Sequence, residues 1–171
     1  MWTSDQMRDL FDFLRWGDVQ MLDAASKLPD DQYYKEREIS LGSIHKLLVH
    51  AMTAEALWLA RWNGKHVDRI ENHEDFPTRE SLANQWPVVH LALSQFLDKQ
   101  TAQSMAQPLT YQTTTGEIVT GGLGEFMFHL VDHGSYHRGQ LNSMIKQAGG
   151  NPVTVGYRNF LASRNHKRKV S

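Results

Sequence analysis

The chain has 171 residues, 18 basic and 19 acidic side chains, 9 histidines and no cysteine, for a formal net charge of -1 with histidine neutral. That length fits one domain with a sizeable core, and the balanced charge gives no global reason to expect nucleic acid or an anionic membrane as partner. The missing cysteine excludes disulfides, thiolate metal sites and a cysteine nucleophile, and it suits a reducing compartment.

The opening MWTSDQMRDLFDF carries Asp5, Asp9 and Asp12 and lacks the basic-then-apolar pattern of a signal peptide. No apolar run approaches the roughly 20 residues that span a bilayer. A single cytoplasmic domain over 1–171 is the expectation. Acidic residues stop at Asp132, while Arg138, Lys146, Arg158, Arg164, Lys167, Arg168 and Lys169 follow. The basic stretch 163–171 is expected to be a solvated, flexible tail rather than a nucleic-acid contact.

Four long helices are expected. The first runs from about Ser4 to Lys27, where Met7, Leu10, Phe11, Leu14, Met21 and Leu22 recur at helical spacing and Pro29 follows. The second runs from about Leu41 to Asn63, with Ser40 as N-cap and Gly64 at the C-terminal end. Its apolar stripe is Ile44, Leu47, Ala51, Ala54 and Trp58. A polar surface loop spans Lys65 to Pro77. The third helix runs from about Thr78 to Gln103, with a kink or restart at Pro87, because proline lacks the amide hydrogen and collides with the preceding turn. LTYQTTTGEIVT, residues 109–120, is rich in threonine and reads as a short hairpin or extended loop. The fourth helix runs from about Gly122 to Ala148 and stops at Gly149-Gly150 and Pro152. The set predicts an all-α four-helix bundle.

In that last helix, Phe126, Leu130, His133, His137, Leu141 and Met144 step by three and four, which is the core-facing rhythm. His133 and His137 therefore stand where apolar residues belong. Burying two adjacent imidazoles is costly unless their nitrogens find partners. A divalent cation supplies both lone pairs with a partner at i, i+4 spacing; hydrogen bonding to a hydroxyl or carboxylate in the core is the competing reading. His50 in LLVHAMTAEALWL lies on the inward stripe of the second helix, and it would complete a three-nitrogen half-shell that leaves a coordination position open. His45, His66, His73, His90 and His166 are expected on outer faces, in loops or in the tail.

These residues carry a resemblance. HGSYHRGQL, His133 to Leu141, resembles the histidine-arginine-glycine-glutamine segment of the last helix in the DinB-like superfamily, the damage-inducible metal-binding bundle proteins and not the DNA polymerase of that name. His50, Glu55 and Trp58, the Trp16 segment and the extended stretch before the last helix match as well, over nearly the whole chain. The resemblance implies an up-down-down-up bundle, usually a homodimer, with one divalent metal held by His50, His133 and His137. It leaves His129 as an outer-sphere or core residue able to compete with His50. Relatives often carry an acid after the last helix; NPVTVGYRNFLA here has none.

The chemistry follows from the donor set. Gly134 stands where a zinc-protease motif needs its glutamate base, so peptidase chemistry through that motif is not expected. A neutral three-histidine ion could activate water for hydrolysis or stabilise a small thiolate. The resemblance implies either a transferase or isomerase dependent on a low-molecular-weight thiol or a metal-dependent hydrolase; a non-catalytic metal- or ligand-binding dimer is the competing class. Zinc or nickel is the first expectation for the metal, with iron, manganese and copper behind them. Tyr136 and Gln140 are expected to orient a ligand histidine. Arg138 is expected in a structural ion pair with a carboxylate such as Glu125 or Asp132, with contact to an anionic substrate as the alternative. Gly134 and Gly139 are expected under close helix contacts.

Overall fold

The computed structural model describes residues 2–67, 69–113 and 115–170, with side chains described as far as 165. In chain order the elements are α1 (Ser4–Ser26), α2 (Asp30–Tyr33), α3 (Ile44–Trp62), α4 (Arg79–Leu97), α5 (Ala102–Met105), β1 (Pro108–Gln112), β2 (Ile118–Gly122), α6 (Leu123–Gln147) and α7 (Tyr157–Val170). The molecule is mostly helical with one two-stranded antiparallel sheet. Among the described residues no helix is long and apolar enough to cross a membrane.

The long helices begin where side chains satisfy the free amides of a first turn. Thr3 caps α1 in a reciprocal box: its Oγ1 accepts from the Gln6 amide at 3.2 Å, and the Gln6 side chain accepts from the Thr3 amide at 3.0 Å. Thr78 caps α4 in the same way with Ser81. For α3 the expected cap was one turn early. Ser43, not Ser40, accepts from the Lys46 amide at 3.1 Å. Ser40 instead stands at φ 52, in the left-handed region that a non-glycine residue rarely adopts.

Pro87 lies inside α4, which continues through it and ends at Leu97 rather than near Gln103. Pro87 and Ala83, the residue whose carbonyl loses its donor, are both exposed, so water can replace the missing bond. A separate turn, α5, follows. The hairpin pairs Tyr111 with Val119 and Leu109 with Gly121, and Gly116 supplies φ 89 in its turn.

α1 packs against α6 and α4, and α3 packs against the same two helices. Met7, Leu14, Met21, Leu47, Met52 and Trp86 are among the side chains sealed between them. Gly134 is one reason α1 and α6 come close: a Cβ there would lie 2.4 Å from the Leu14 side chain. Gly139 has no such neighbour within 4 Å and does not serve close packing. The sequence suggested no helix after α6. In the structure α7 rests on α1, with Phe160 5.8 Å from both the Phe13 and Trp16 rings, and Arg164 and Tyr157 both bound to Asp9. The stretch read as a flexible tail from 163 is thus helical to Val170, while Ser171 and the His166 side chain lie outside the described residues.

Candidate metal centre

α3 and α6 pack side by side and bring His50, His133 and His137 together. Each offers a ring nitrogen, and these nitrogens lie within 4.8 Å of one another. The ring centroids are 4.3 Å apart for His133 and His137, 4.7 Å for His50 and His137, and 5.3 Å for His50 and His133. His137 is buried; His50 and His133 are half-buried.

Among the described residues no carboxylate is paired with these rings, and Glu71 lies across the cavity that His50 lines. Burial first, and the neighbouring imidazoles second, push His133 down to about 3. Burial also lowers His50, with His137 adding to it, and lowers His137, partly offset by its bond to Gln140. All three rings are therefore neutral at pH 7, the form that donates a lone pair to a metal.

Gln140 fixes which lone pair is free. Its Oε1 accepts from His137 Nδ1 at 2.8 Å, its Nε2 donates to the Tyr136 hydroxyl at 3.0 Å, and Ser40 Oγ donates to the same Oε1 at 3.1 Å. His137 Nδ1 carries the proton, so Nε2 is the free acceptor. It points at His133 Nε2, 3.0 Å away. A tetrahedral ion with metal–nitrogen distances of about 2.0–2.1 Å separates two ligand nitrogens by about 3.3 Å, so the pair needs only a small adjustment to share an ion. The three-histidine set fits a divalent cation. The Ser40 hydroxyl, placed by its left-handed backbone, was not foreseen as part of this arrangement.

His129 does not join the group. It is exposed, with its ring edge-on to Trp58 at 5.2 Å and 6.0 Å from His133. Among the described residues none after α6 belongs to the group, and Val153 is held through both its backbone groups by the Asn142 side chain, at 2.8 and 2.9 Å. Trp58, Trp62 and Trp86 are all buried.

A second cluster lies elsewhere in the core. Asp18 of α1, Glu55 of α3 and His90 of α4 also bring ligand-type atoms within 4.8 Å of one another. His90 Nε2 is 3.3 Å from Asp18 Oδ2 and 3.4 Å from Glu55 Oε2, and Trp86 Nε1 donates to Glu55 Oε2 at 3.1 Å. Arg138 of α6 pairs with Asp18 at 3.6 Å, not with Glu125 or Asp132. Two histidines expected outside are thus inside. His90 shows 9% of its side chain, and His45 is buried between the Tyr33 hydroxyl and the Phe76 carbonyl. His73 is half-buried, and His66 is exposed.

Fold and site define a helical protein with a three-histidine group able to hold a metal ion. Comparison with known proteins identifies it further. The DinB family model matches residues 1–169, and the chain belongs to that family. Protein DinB of Bacillus subtilis (strain 168) is 26% identical over 163 residues, covering 92% of this chain and 95% of that one. The crystal structure of a DinB-like protein from Bacillus cereus ATCC 10987 superposes with a TM-score of 0.69 at 19% identity, covering 90% of this chain and 98% of that one.

Proposed function

We propose that this protein is a divalent-metal-dependent enzyme whose ion is held by His50, His133 and His137, on an up-down-down-up four-helix bundle formed by α1, α3, α4 and α6. The observation that carries the reading is the convergence of three neutral imidazoles from two helices, with no carboxylate or hydroxyl bonded to their ring nitrogens among the described residues. A hydrogen-bonded core histidine would have such a partner, as His45 does.

A bound zinc, nickel or other divalent ion would supply a Lewis acid that lowers the pKa of water or a thiol in its open position. The chain's own part is to hold the rings. Gln140 keeps His137 in the Nδ1–H form, and Tyr136 and Ser40 keep Gln140 in place. Three protein ligands leave at least one position for an exogenous group. Among the described residues no carboxylate is paired with the rings, and Glu71 shares a cavity with His50 alone, which favours a reactant that ionises on the metal itself, a low-molecular-weight thiol. Transfer or isomerisation dependent on such a thiol is therefore the preferred reaction, with hydrolysis second. A cytoplasmic homodimer belongs to the same proposal.

The test is elemental analysis of tag-free protein beside His50→Ala and His137→Ala. About one metal per chain, lost in both variants, supports the cross-helix site and directs assays to thiol addition and exchange. A parent that stays metal-free after reconstitution overturns the reading.

A further inference from the structure

His50, alone of the histidine group, borders a cavity of about 390 Å³, lined on one side by Leu41, Lys46, His50 and Thr53 and on the other by the loop residues Glu71 and His73. Its far wall comes from the segment between α3 and α4, the near wall from α3 itself. Lys46, His50 and Thr53 are spaced i, i+4 and i+7, so one face of α3 presents an ammonium, a ligand imidazole and a hydroxyl in a row. Four residues of helix rise about 6 Å. A small molecule bound beside His50 therefore has a cation within its own length.

Lys46 is already engaged by a carboxylate. Its Nζ lies 2.7 Å from Glu36 Oε1, with 31% of the Lys46 side chain and 61% of the Glu36 side chain exposed. Glu36 reaches this place because Gly42, at φ 93, leaves its surface bare: a Cβ there would lie 2.2 Å from Glu36 Oε2. An exposed pair of this kind holds weakly, so a competing carboxylate can take the position. The geometry is that of a carboxylate seat occupied by a removable residue of the chain.

We propose that this cavity takes a small ligand with a metal-binding donor atom at one end and a carboxylate at the other, and that Lys46 recognises the carboxylate in exchange with Glu36. The proposal rests on the metal reading above and adds the substrate's charge to it. An anionic donor atom also offsets part of the charge of a divalent ion that three neutral imidazoles leave uncompensated.

The experiment titrates cobalt-loaded protein with 4-mercaptobutyrate and with 4-mercapto-1-butanol, a neutral thiol of matched length, and reads the thiolate-to-metal absorption. The carboxylate ligand is expected to bind about 10-fold more tightly. Lys46→Met should bring the ratio to about one while leaving the mercaptobutanol affinity unchanged, which shows that the site is intact. Glu36→Gln should tighten mercaptobutyrate a few-fold by removing the competitor. A parent that loads cobalt but binds both thiols alike, or a ratio that survives in Lys46→Met, overturns this proposal alone. A parent that takes up no cobalt overturns the metal reading and this proposal with it.

Discussion

Two groups of three potential metal ligands stand in this core, and they are built on opposite principles. His50, His133 and His137 carry no charge and are paired with no carboxylate among the described residues, and His50 lines a cavity. Asp18 and Glu55 are buried, His90 shows 9% of its side chain at the edge of a separate cavity, and their positive charge is already present as Arg138. A cation added to the second group would be repelled by that guanidinium. Even the space for Arg138 is prepared: a Cβ at Gly17 would lie 2.7 Å from its Cδ. The lesson is that ligand-type residues within reach of one another do not define a metal site. What separates the two is whether the charge account is closed without an ion. In the first group it is open. In the second it is closed by an arginine that ties α6 to α1, with Trp86 and His90 tying α4 to the same acids.

The comparison breaks most sharply at the ligands. His50→Ala or His137→Ala should lower metal affinity by more than about 100-fold, beyond the roughly 10–100-fold that loss of an outer-sphere partner costs. Thermal stability of His50→Ala in chelator should hardly change, whereas His137→Ala should lose a little through its bond to Gln140. Equilibrium dialysis and a melting curve in EDTA together check both halves; unchanged metal content would merge the two groups into one structural class. Arg138→Met should do the reverse. Removing one partner of a buried ion pair costs about 3–5 kcal/mol, here because Asp18 is left uncompensated beside Glu55. Urea unfolding should show that loss, while the folded fraction still binds metal. Gln140→Leu sharpens the contrast from the outer sphere: the fold should stand, and metal affinity should fall by about 10–100-fold as His137 loses its fixed orientation. An affinity equal to the parent's would mean that the Ser40–Gln140–His137 chain does not orient the ligand.

The first group is legible in the rhythm of α3 and α6, and the second is legible only where the same rhythm is followed into α1 and α4. Periodicity placed His133, His137 and His50 on inward stripes, and the structure brings them together. The same rhythm runs through Leu14, Asp18 and Met21 in α1 and through Trp86, His90, Leu93 and Leu97 in α4. Stepping the carboxylates and His90 through that test would have found the second group. His45 is different. What buries it is Tyr33 of α2 and the Phe76 carbonyl of a loop, contacts that no local pattern encodes. The helices themselves were readable to within a few residues because caps and apolar spacing are local. The cap of α3 was misplaced because Ser40 and Ser43 offer equal local signals, and only Ser40's engagement with α6 decides between them. The final helix escaped notice because its polar sequence forms a helix by docking Phe160 and Arg164 on α1, a tertiary effect.

The smallest effect tests the claim that the second group is closed by protons and an arginine rather than by a metal. Glu55 is held well above the usual carboxylate range, by burial first and by Asp18 second, with the Trp86 bond and Arg138 pulling weakly the other way. A carboxyl whose folded pKa is raised binds its proton more tightly in the folded state, so its contribution is fully present below the unfolded pKa and is lost as pH rises towards the folded value. Glu55→Gln keeps an acceptor for Trp86 and a donor towards Asp18 but has nothing to ionise. The variant should therefore become more stable than the parent as pH rises from 5 to 7, by about 1 kcal/mol or a shift of roughly 2–4 °C in Tm. If divalent metal occupied this group instead, it would hold Glu55 ionised. Glu55→Gln would then be destabilised at every pH, and the gap between the proteins would close in chelator.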